Sequence, residues 1–273
     1  MASAAGLGAI ALWAFLAVLT RATAEIPPLQ LTAMTFTVSG VLGLAALAVT
    51  GRLRDLRQPT ISWLHGVGGL FVYHALYFIA LRSAPAEAAN LLNYLWPLLI
   101  VLLAGALLGM RLRRRHLLGC GLAACGCLLL LGSGARFSSD YLAGYVCAVG
   151  AAVTWAVYSV TAQRLAHVPS GAVAGFCLAT ALLSLPLHLA LETSVMPGWS
   201  TLGMIAAIGA GPVGLAFFLW DFGMKRGDPR LLGTLAYATP IASTLLLTWP
   251  APGLDSLAAA SLVAIGGLLA ARA

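Results

Sequence analysis

Polar positions in this chain are spaced so that ten long apolar runs lie between them, at about 4–20, 28–50, 60–82, 85–109, 117–135, 142–163, 171–191, 200–224, 228–249 and 253–271. Each run is near the roughly 20 residues that carry a helix across about 30 Å of hydrocarbon. The pattern therefore predicts an all-α integral membrane protein with ten transmembrane helices, short connections and little room for a soluble domain. Composition agrees: 61% of the 273 residues are hydrophobic and 8% are charged. The mean hydropathy of +0.96 lies outside the range of soluble domains.

Charge gives these runs a direction. With the N-terminus in the cytoplasm, the connections on that side hold Arg52, Arg54, Arg57, Arg111, Arg113, Arg114, Arg115, Arg164, Lys225, Arg226, Arg230 and Arg272, against Arg21, Arg82 and Arg136 on the other. This asymmetry follows the positive-inside rule and places both termini in the cytoplasm and Asp140 outside. The net charge of +7 is then anchoring charge beside the lipid bilayer, and a nucleic-acid partner is not expected. The first run ends in Ala22, Thr23 and Ala24, which resembles a cleavage site, but no Lys or Arg precedes Arg21, so a retained helix is expected. Cys120, Cys125, Cys127, Cys147 and Cys177 all fall inside predicted spans and read as small packing residues, with no metal site or cofactor expected.

The chain also matches itself. At a shift of 143 residues Gly66 meets Gly209, Gly68 meets Gly211, Arg82 meets Lys225, Tyr94 meets Tyr237 and Pro97 meets Pro240; at 142, Trp13-Ala14 meets Trp155-Ala156. Trp, Tyr and Pro are scarce enough to carry weight in such an alignment. It divides the chain into two five-helix repeats, 1–135 and 136–273. Five is odd, so the second repeat enters the membrane in the opposite sense. Inverted repeats are typical of secondary transporters, with a central cavity near the midplane between the halves.

The fourth run, NLLNYLWPLLIVLLAG at 90–105, holds the candidate chemistry. Pro97 cannot donate to the carbonyl of Asn93 and pushes Trp96 from helical geometry, so a bend is expected here. A freed carbonyl in hydrocarbon costs several kcal/mol unless protein or cavity water satisfies it. Asn90, Asn93, Tyr94 and Pro97 share an arc of about 100°, and on the third run Tyr73, His74 and Tyr77 share another, with Gly66 leaving room below. Counting from the short connector near 83–84 puts His74 level with Asn93 and Tyr77 level with Asn90, near mid-membrane. The sixth run adds Trp155, Tyr158 and Ser159, and Tyr237 is the counterpart of Tyr94. Taken singly, such residues also serve as bonds between helices or as interfacial anchors; Trp199, Trp249 and Tyr141, at span ends, are read as anchors.

At PAEAANLLNYLWPLLIVLLAGALLG (85–109), with the basic turn and the Gly-rich LLGCGLAACGCLLLLGSG after it, the sequence resembles the drug/metabolite transporter superfamily in its ten-helix EamA-like branch. NYLWP is similar to the YddG-type exporters of aromatic amino acids. Relatives often carry a Glu where this chain has Met110, and the matching Glu near Pro252 is absent too. The resemblance implies a basket of ten helices around a cavity, exporting metabolites across the bacterial inner membrane.

No Lys or Arg falls mid-span to meet a strongly anionic substrate, and no Asp or Glu to meet a cation. Aromatic rings, Asn amides and one His suit a flat zwitterion, so the small-molecule substrate expected is an aromatic or other neutral amino acid. Organic cations or drugs are the alternative substrates, and a non-transporting receptor the alternative role. H-E-x-x-H, G-x-S-x-G and paired mid-span carboxylates are all missing, which argues against an enzyme. Asp221 lies about a turn inside its run, leaving His74 as the deep ionisable residue. With no acid expected beside it, His74 reads as a hydrogen-bond partner for substrate, and transport as facilitated diffusion. Pro97 and Pro240 read as paired hinges. Oligomeric state is open.

Overall fold

Proline and glycine set the ends and interruptions of helices that hydrophobicity alone would run straight through. The computed structural model of the chain describes residues 1–132, 137–250 and 253–273. Within them are ten helices long and apolar enough to cross a membrane: α1 (Ala2–Arg21), α2 (Pro28–Val49), α3 (Thr60–Ser83), α4 (Ala86–Leu108), α5 (Arg114–Leu131), α6 (Ser139–Leu165), α7 (Ser170–Leu191), α8 (Trp199–Arg226), α9 (Pro229–Thr248) and α10 (Leu254–Ala271). Pro28 and Pro229 open their helices at the position where the missing amide costs nothing. Gly109, at φ 66°, closes α4 in the left-handed conformation that favours glycine. Asp228 caps α9 by accepting from the Arg230 amide at 2.9 Å. Burial alone would raise the Asp228 carboxyl, but hydrogen bonds from Arg230 hold it below the usual carboxylate range.

Each predicted run corresponds to one helix. The ends differ most at α5, which starts at Arg114 and takes two of the expected loop charges into its first turn. His116, expected in a loop, is buried in that turn, where its Nδ1 accepts from the Arg113 amide at 3.1 Å. The expected end of this run at 133–135, the outer charge Arg136 and the position Pro252 lie outside the described residues.

Five of the described helices change winding midway, α1 among them with an interruption at Phe15. In α3 residues Gly68–Val72 form a wider π turn, and in α8 residues Gly211–Leu215 do the same. The α4 helix breaks between Asn93 and Trp96, and α9 breaks at Tyr237. Pro97 lies just past the first break and Pro240 just past the second, as a missing amide requires. Pro97 thus bends its helix where the sequence predicts a bend.

Packing pairs α5 with α10, α2 with α7, α4 with α9, α1 with both α8 and α9, and α3 and α4 with α6. The α5–α10 contact is made by small residues. A Cβ added at Gly119 would collide with the Gly266 carbonyl oxygen, and one at Gly266 with the Gly119 carbonyl oxygen, while Gly126 would meet the Ala259 carbonyl oxygen at 2.8 Å. In lipid such close approach supplies the dispersion contact that drives helix association.

The connectors gather at two faces. One face holds both termini: Arg113 donates to the Ala273 carbonyl, the Asp228 amide to Ser3 Oγ at 3.3 Å, and Arg230 to the Arg111 carbonyl at 2.8 Å. On this terminal face Gln163 donates to the Gly227 carbonyl at 3.1 Å and Arg164 to the Leu107 carbonyl, tying the last turn of α6 to the ends of α8 and α4. At the opposite face the Glu192 side chain, 1% exposed, accepts from the Leu29 and Gln30 amides at 3.1 Å, from Arg82 at 2.7 Å and from His188 Nδ1 at 2.9 Å. Glu192, one residue past the predicted run at 171–191, is thus a buried clamp on the N-terminus of α2.

Replacing Gly119 by Leu forces α5 and α10 apart at a backbone contact. Overpacking of this kind costs about 1–3 kcal/mol. A lower thermal midpoint in detergent, read by size-exclusion fluorescence, is expected for Gly119→Leu, whereas Gly121→Leu, with open space around it, leaves the midpoint unchanged.

Candidate transport site

Four tryptophans from four helices meet in the interior: Trp13 on α1, Trp96 on α4, Trp155 on α6 and Trp220 on α8. All six pairs have ring centroids 5.1–6.4 Å apart. None of the four is more than 8% exposed. Their indole N–H groups must be satisfied at that depth. Trp13 donates to the Pro212 carbonyl at 2.9 Å, inside the π turn of α8, and Trp220 donates to Ser159 Oγ at 3.0 Å.

The aromatic surface continues away from the terminal face. Tyr73 lies 5.1 Å from Trp155 and stacks on Tyr77 at 5.9 Å, while Phe217 touches Trp13, Trp155, Phe36 and His74. Tyr158 rests on Trp155 at 5.4 Å. Polar groups edge this surface. Tyr77 donates its hydroxyl hydrogen to Asn90 Oδ1, and Asn93 Nδ2 donates to the Tyr73 hydroxyl oxygen at 3.3 Å. These bonds agree with the helix levels read from the sequence.

His74 has two different nitrogens. Its Nδ1 lies 2.7 Å from the Leu70 carbonyl, in the π turn of α3, so Nδ1 carries the hydrogen and donates. Nε2 makes no hydrogen bond among the described residues. Asn93 Oδ1 is buried and likewise has no partner. Among the described residues Asn90 Nδ2 and the Tyr73 hydroxyl hydrogen have no acceptor. The site therefore offers two unpaired acceptors and two unpaired donors beside the rings.

Tyr73, His74, Tyr77, Asn90, Asn93, Trp96, Trp155 and Tyr158 are thus brought together. Tyr94 and Tyr237 belong to a separate cluster with Val101, Cys120, Cys127 and Ile241, between α4, α5, α9 and α10. Gly66 leaves no room for a ligand, because the ring of Phe176 fills the space a Cβ would take. Trp13 and Trp220 were not singled out from the sequence as site residues, although the repeat pairs Trp13 with Trp155 and Trp220 with Tyr77.

Beyond the cluster, toward the terminal face, Asp221 and Lys225 form a buried ion pair at 2.8 Å, with side chains 3% and 4% exposed. Lys225 also donates to the Val168 carbonyl at 3.0 Å. Lys225 is therefore not an anchoring charge on a loop, as the sequence suggested. Nor is His74 alone among deep ionisable groups: Asp221 is as enclosed as the tryptophans. A groove of about 620 Å³ between α2, the 168–171 connector and α8 reaches Lys225. It lies to the side of the tryptophans, so it is distinct from the aromatic site.

Comparison with known proteins gives a consistent result. The profile of the EamA-like transporter family matches residues 1–132 and again 142–271. The chain is 50% identical to the aromatic amino acid exporter YddG of Ancylobacter novellus, over 96% of this chain and 93% of that protein. It is 26% identical to the threonine/homoserine exporter RhtA of Salmonella typhimurium, over 82% of this chain and 76% of that one. A solved crystal structure superposes with a TM-score of 0.96 at 48% identity, covering 99% of this chain and 96% of the other.

Half-buried Asn90 and fully buried Ser159 lie on opposite sides of the tryptophans, which gives a direct test of the arrangement. With the five native cysteines replaced by alanine, Asn90→Cys is expected to react with a small water-soluble methanethiosulfonate, and Ser159→Cys to react at least tenfold more slowly. Equal rates would mean that the tryptophans do not close the path.

Proposed function

The chain belongs to the EamA-like transporter family, and on that premise we propose that it is a secondary transporter exporting aromatic and other neutral amino acids from the bacterial cytoplasm by alternating access. The observation that carries this reading is the continuous aromatic surface from Tyr77 to the four tryptophans, edged by neutral hydrogen-bonding atoms that have no partner. A substrate ring stacks on the aromatic surface. Its ammonium meets Asn93 Oδ1, His74 Nε2 and the ring faces, and its carboxylate meets Asn90 Nδ2 and the Tyr73 hydroxyl. Relatives named as aromatic amino acid and threonine/homoserine exporters support a substrate that is an amino acid, with the rings favouring the larger side chains.

The two halves, 1–135 and 136–273, are proposed as an inverted repeat. Support comes from the family profile matching twice and from helix contacts that recur when the halves are exchanged. Thus α1 meets α8 and α9 as α6 meets α3 and α4, and α2 meets α8 as α7 meets α3. The π turns of α3 and α8 and the breaks of α4 and α9 fall at the same 143-residue shift. On this reading Pro97 and Pro240 mark paired hinges, and Tyr94 and Tyr237 support them. Both termini are proposed to face the cytoplasm, and the positive charge on the terminal face supports this. On this reading the tryptophans close the path toward the cytoplasm, and the Gln163, Arg164 and Lys225 contacts hold the helices together on that side.

Counterflow in proteoliposomes with a panel of aromatic, aliphatic and hydroxy amino acids and organic cations tests the reading. Aromatic amino acids are expected to exchange fastest, and Trp96→Ala, Tyr77→Ala and Trp155→Ala each to weaken their half-saturation several-fold, since ring contacts are worth about 0.5–1.5 kcal/mol beyond area. In the same assay Pro97→Ala slows turnover more than it weakens half-saturation. Exchange of organic cations without amino acids would overturn the substrate.

His74 spends Nδ1 on a backbone carbonyl and keeps Nε2 for substrate, so transport is proposed to be facilitated and not driven by protons. Flux is expected to be the same with and without an imposed pH gradient, and His74→Gln to weaken substrate binding only. Uphill accumulation driven by the gradient, lost in His74→Gln, would make His74 the coupling group instead.

A further inference from the structure

The buried pair Asp221–Lys225 is poorly arranged for stability alone. Taking two charges out of water costs several kcal/mol per ion, and the attraction between them offsets this only when further hydrogen bonds satisfy both groups. Lys225 has the Val168 carbonyl. The Asp221 side chain accepts no hydrogen bond from His65, Tyr158 or any other described residue, and its Oδ2 is fully enclosed with Lys225 Nζ at 2.8 Å. The Glu192 carboxylate at the opposite face, with its four donor residues, shows what a satisfied buried acid in this fold looks like.

The position of the pair adds to this. Asp221 follows Trp220 directly in the chain, so the charges begin where the aromatic cluster ends. The groove of about 620 Å³ reaches Lys225 from the terminal face, within the roughly 300–1,000 Å³ of small-molecule sites. Phe218 and Phe222 line it, and Arg226 lies at its rim with only the Phe222 ring as a partner among the described residues. An α-amino acid presents an ammonium and a carboxylate on one carbon, the same two charges in similarly close spacing to the pair.

We propose that Asp221 and Lys225 form the cytoplasmic loading site for the amino-acid zwitterion, Lys225 taking the substrate carboxylate and Asp221 its ammonium as the groove opens. This rests on the amino-acid exporter reading and deepens it. Substrate insertion gives Asp221 the donors it lacks and releases Lys225 from Val168, which loosens the α6–α7 connector from α8. Binding and opening of the cytoplasmic side are then one event. At the opposite side the head group meets only neutral amides and hydroxyls, so the substrate is held less tightly where it is released. Without an energy source, detailed balance requires half-saturation and maximal rate to differ between the two directions by the same factor, so that their ratio is equal from either side.

The test is zero-trans flux of phenylalanine from each side of oriented proteoliposomes, with phenethylamine, which lacks the carboxylate, as a second probe. Loss of one charge-assisted contact corresponds to roughly tenfold in binding or more. Lys225→Met is expected to raise the half-saturation from the cytoplasmic side by about that factor, to change the outer value less than twofold, and to abolish the preference for phenylalanine over phenethylamine. Lys225→Arg restores most of that preference. Because Lys225→Met leaves a buried acid unpaired, the double variant Asp221→Asn/Lys225→Gln is measured as well and is expected to show the same one-sided loss at normal thermal stability. Equal shifts on both sides, or unchanged discrimination in a stable double variant, would reduce the pair to a structural lock. If the parent carries no amino acid at all, the exporter reading fails with it. Flux in the parent with unaltered sidedness in the variants overturns this proposal alone.

Discussion

A backbone carbonyl released from its helix cannot be left facing hydrocarbon, where an unsatisfied polar group costs several kcal/mol. Much of the interior of this protein answers that constraint. The π turn of α3 loosens the Leu70 carbonyl, and His74 Nδ1 donates to it. In α8 the π turn loosens Pro212 and Val213, whose carbonyls accept from the Trp13 indole and from Ser39 Oγ at 3.4 Å. Where α1 falters at Phe15, the Ser243 hydroxyl donates to the Ala14 carbonyl at 2.8 Å. Each irregular turn needs a donor from another helix or from a later turn of its own, and so each is covered by protein.

This ties the site to the hinges. The tryptophan that anchors the aromatic cluster is also the donor that stabilises the bent region of α8, so ring packing and backbone bending are coupled through one side chain. π turns are uncommon and concentrate at functional positions because they leave backbone groups that can change partners. A helix whose carbonyls are held partly by side chains can exchange those partners without unfolding. Flexing near Pro97 or Pro212 would therefore alter the stacking of Trp96 or Trp13 before it altered anything at the membrane surface.

Helix number and the grouping of Tyr73, His74, Tyr77, Asn90 and Asn93 were legible because apolar length and angular position follow from sequence spacing alone. The bend at Pro97 was legible because a missing amide is a local fact. Partners across the bundle were not. Trp220 lies four residues from the end of its predicted run, and only its contact with Trp13, Trp96 and Trp155 shows that it belongs to the centre. Its alignment with Tyr77 was the available signal. Lys225 reads as an anchoring cation because charge counting assumes that a charge at a helix end reaches water. The four-residue spacing to Asp221 hinted at an ion pair, yet burial of that pair depends on the 168–171 connector folding over it. His116 and Glu192 lie one residue outside the predicted runs 117–135 and 171–191, and their burial likewise depends on segments distant in sequence.

The two faces treat buried charge differently, and the difference follows from local backbone geometry. Glu192 sits at the end of α7 opposite the N-terminus of α2, where two free amides and the positive end of a helix dipole await an anion. Its carboxylate is satisfied by the fold, so the charge is static and holds α2, α3 and α7 together. Asp221 lies within α8, where neighbouring amides are already bonded within the helix and can offer nothing. Its partner must be a side chain or something that enters from outside the fold. A carboxylate at a helix start completes the structure, whereas one inside a helix, next to the aromatic cluster and behind a groove, leaves a contact for another molecule to complete.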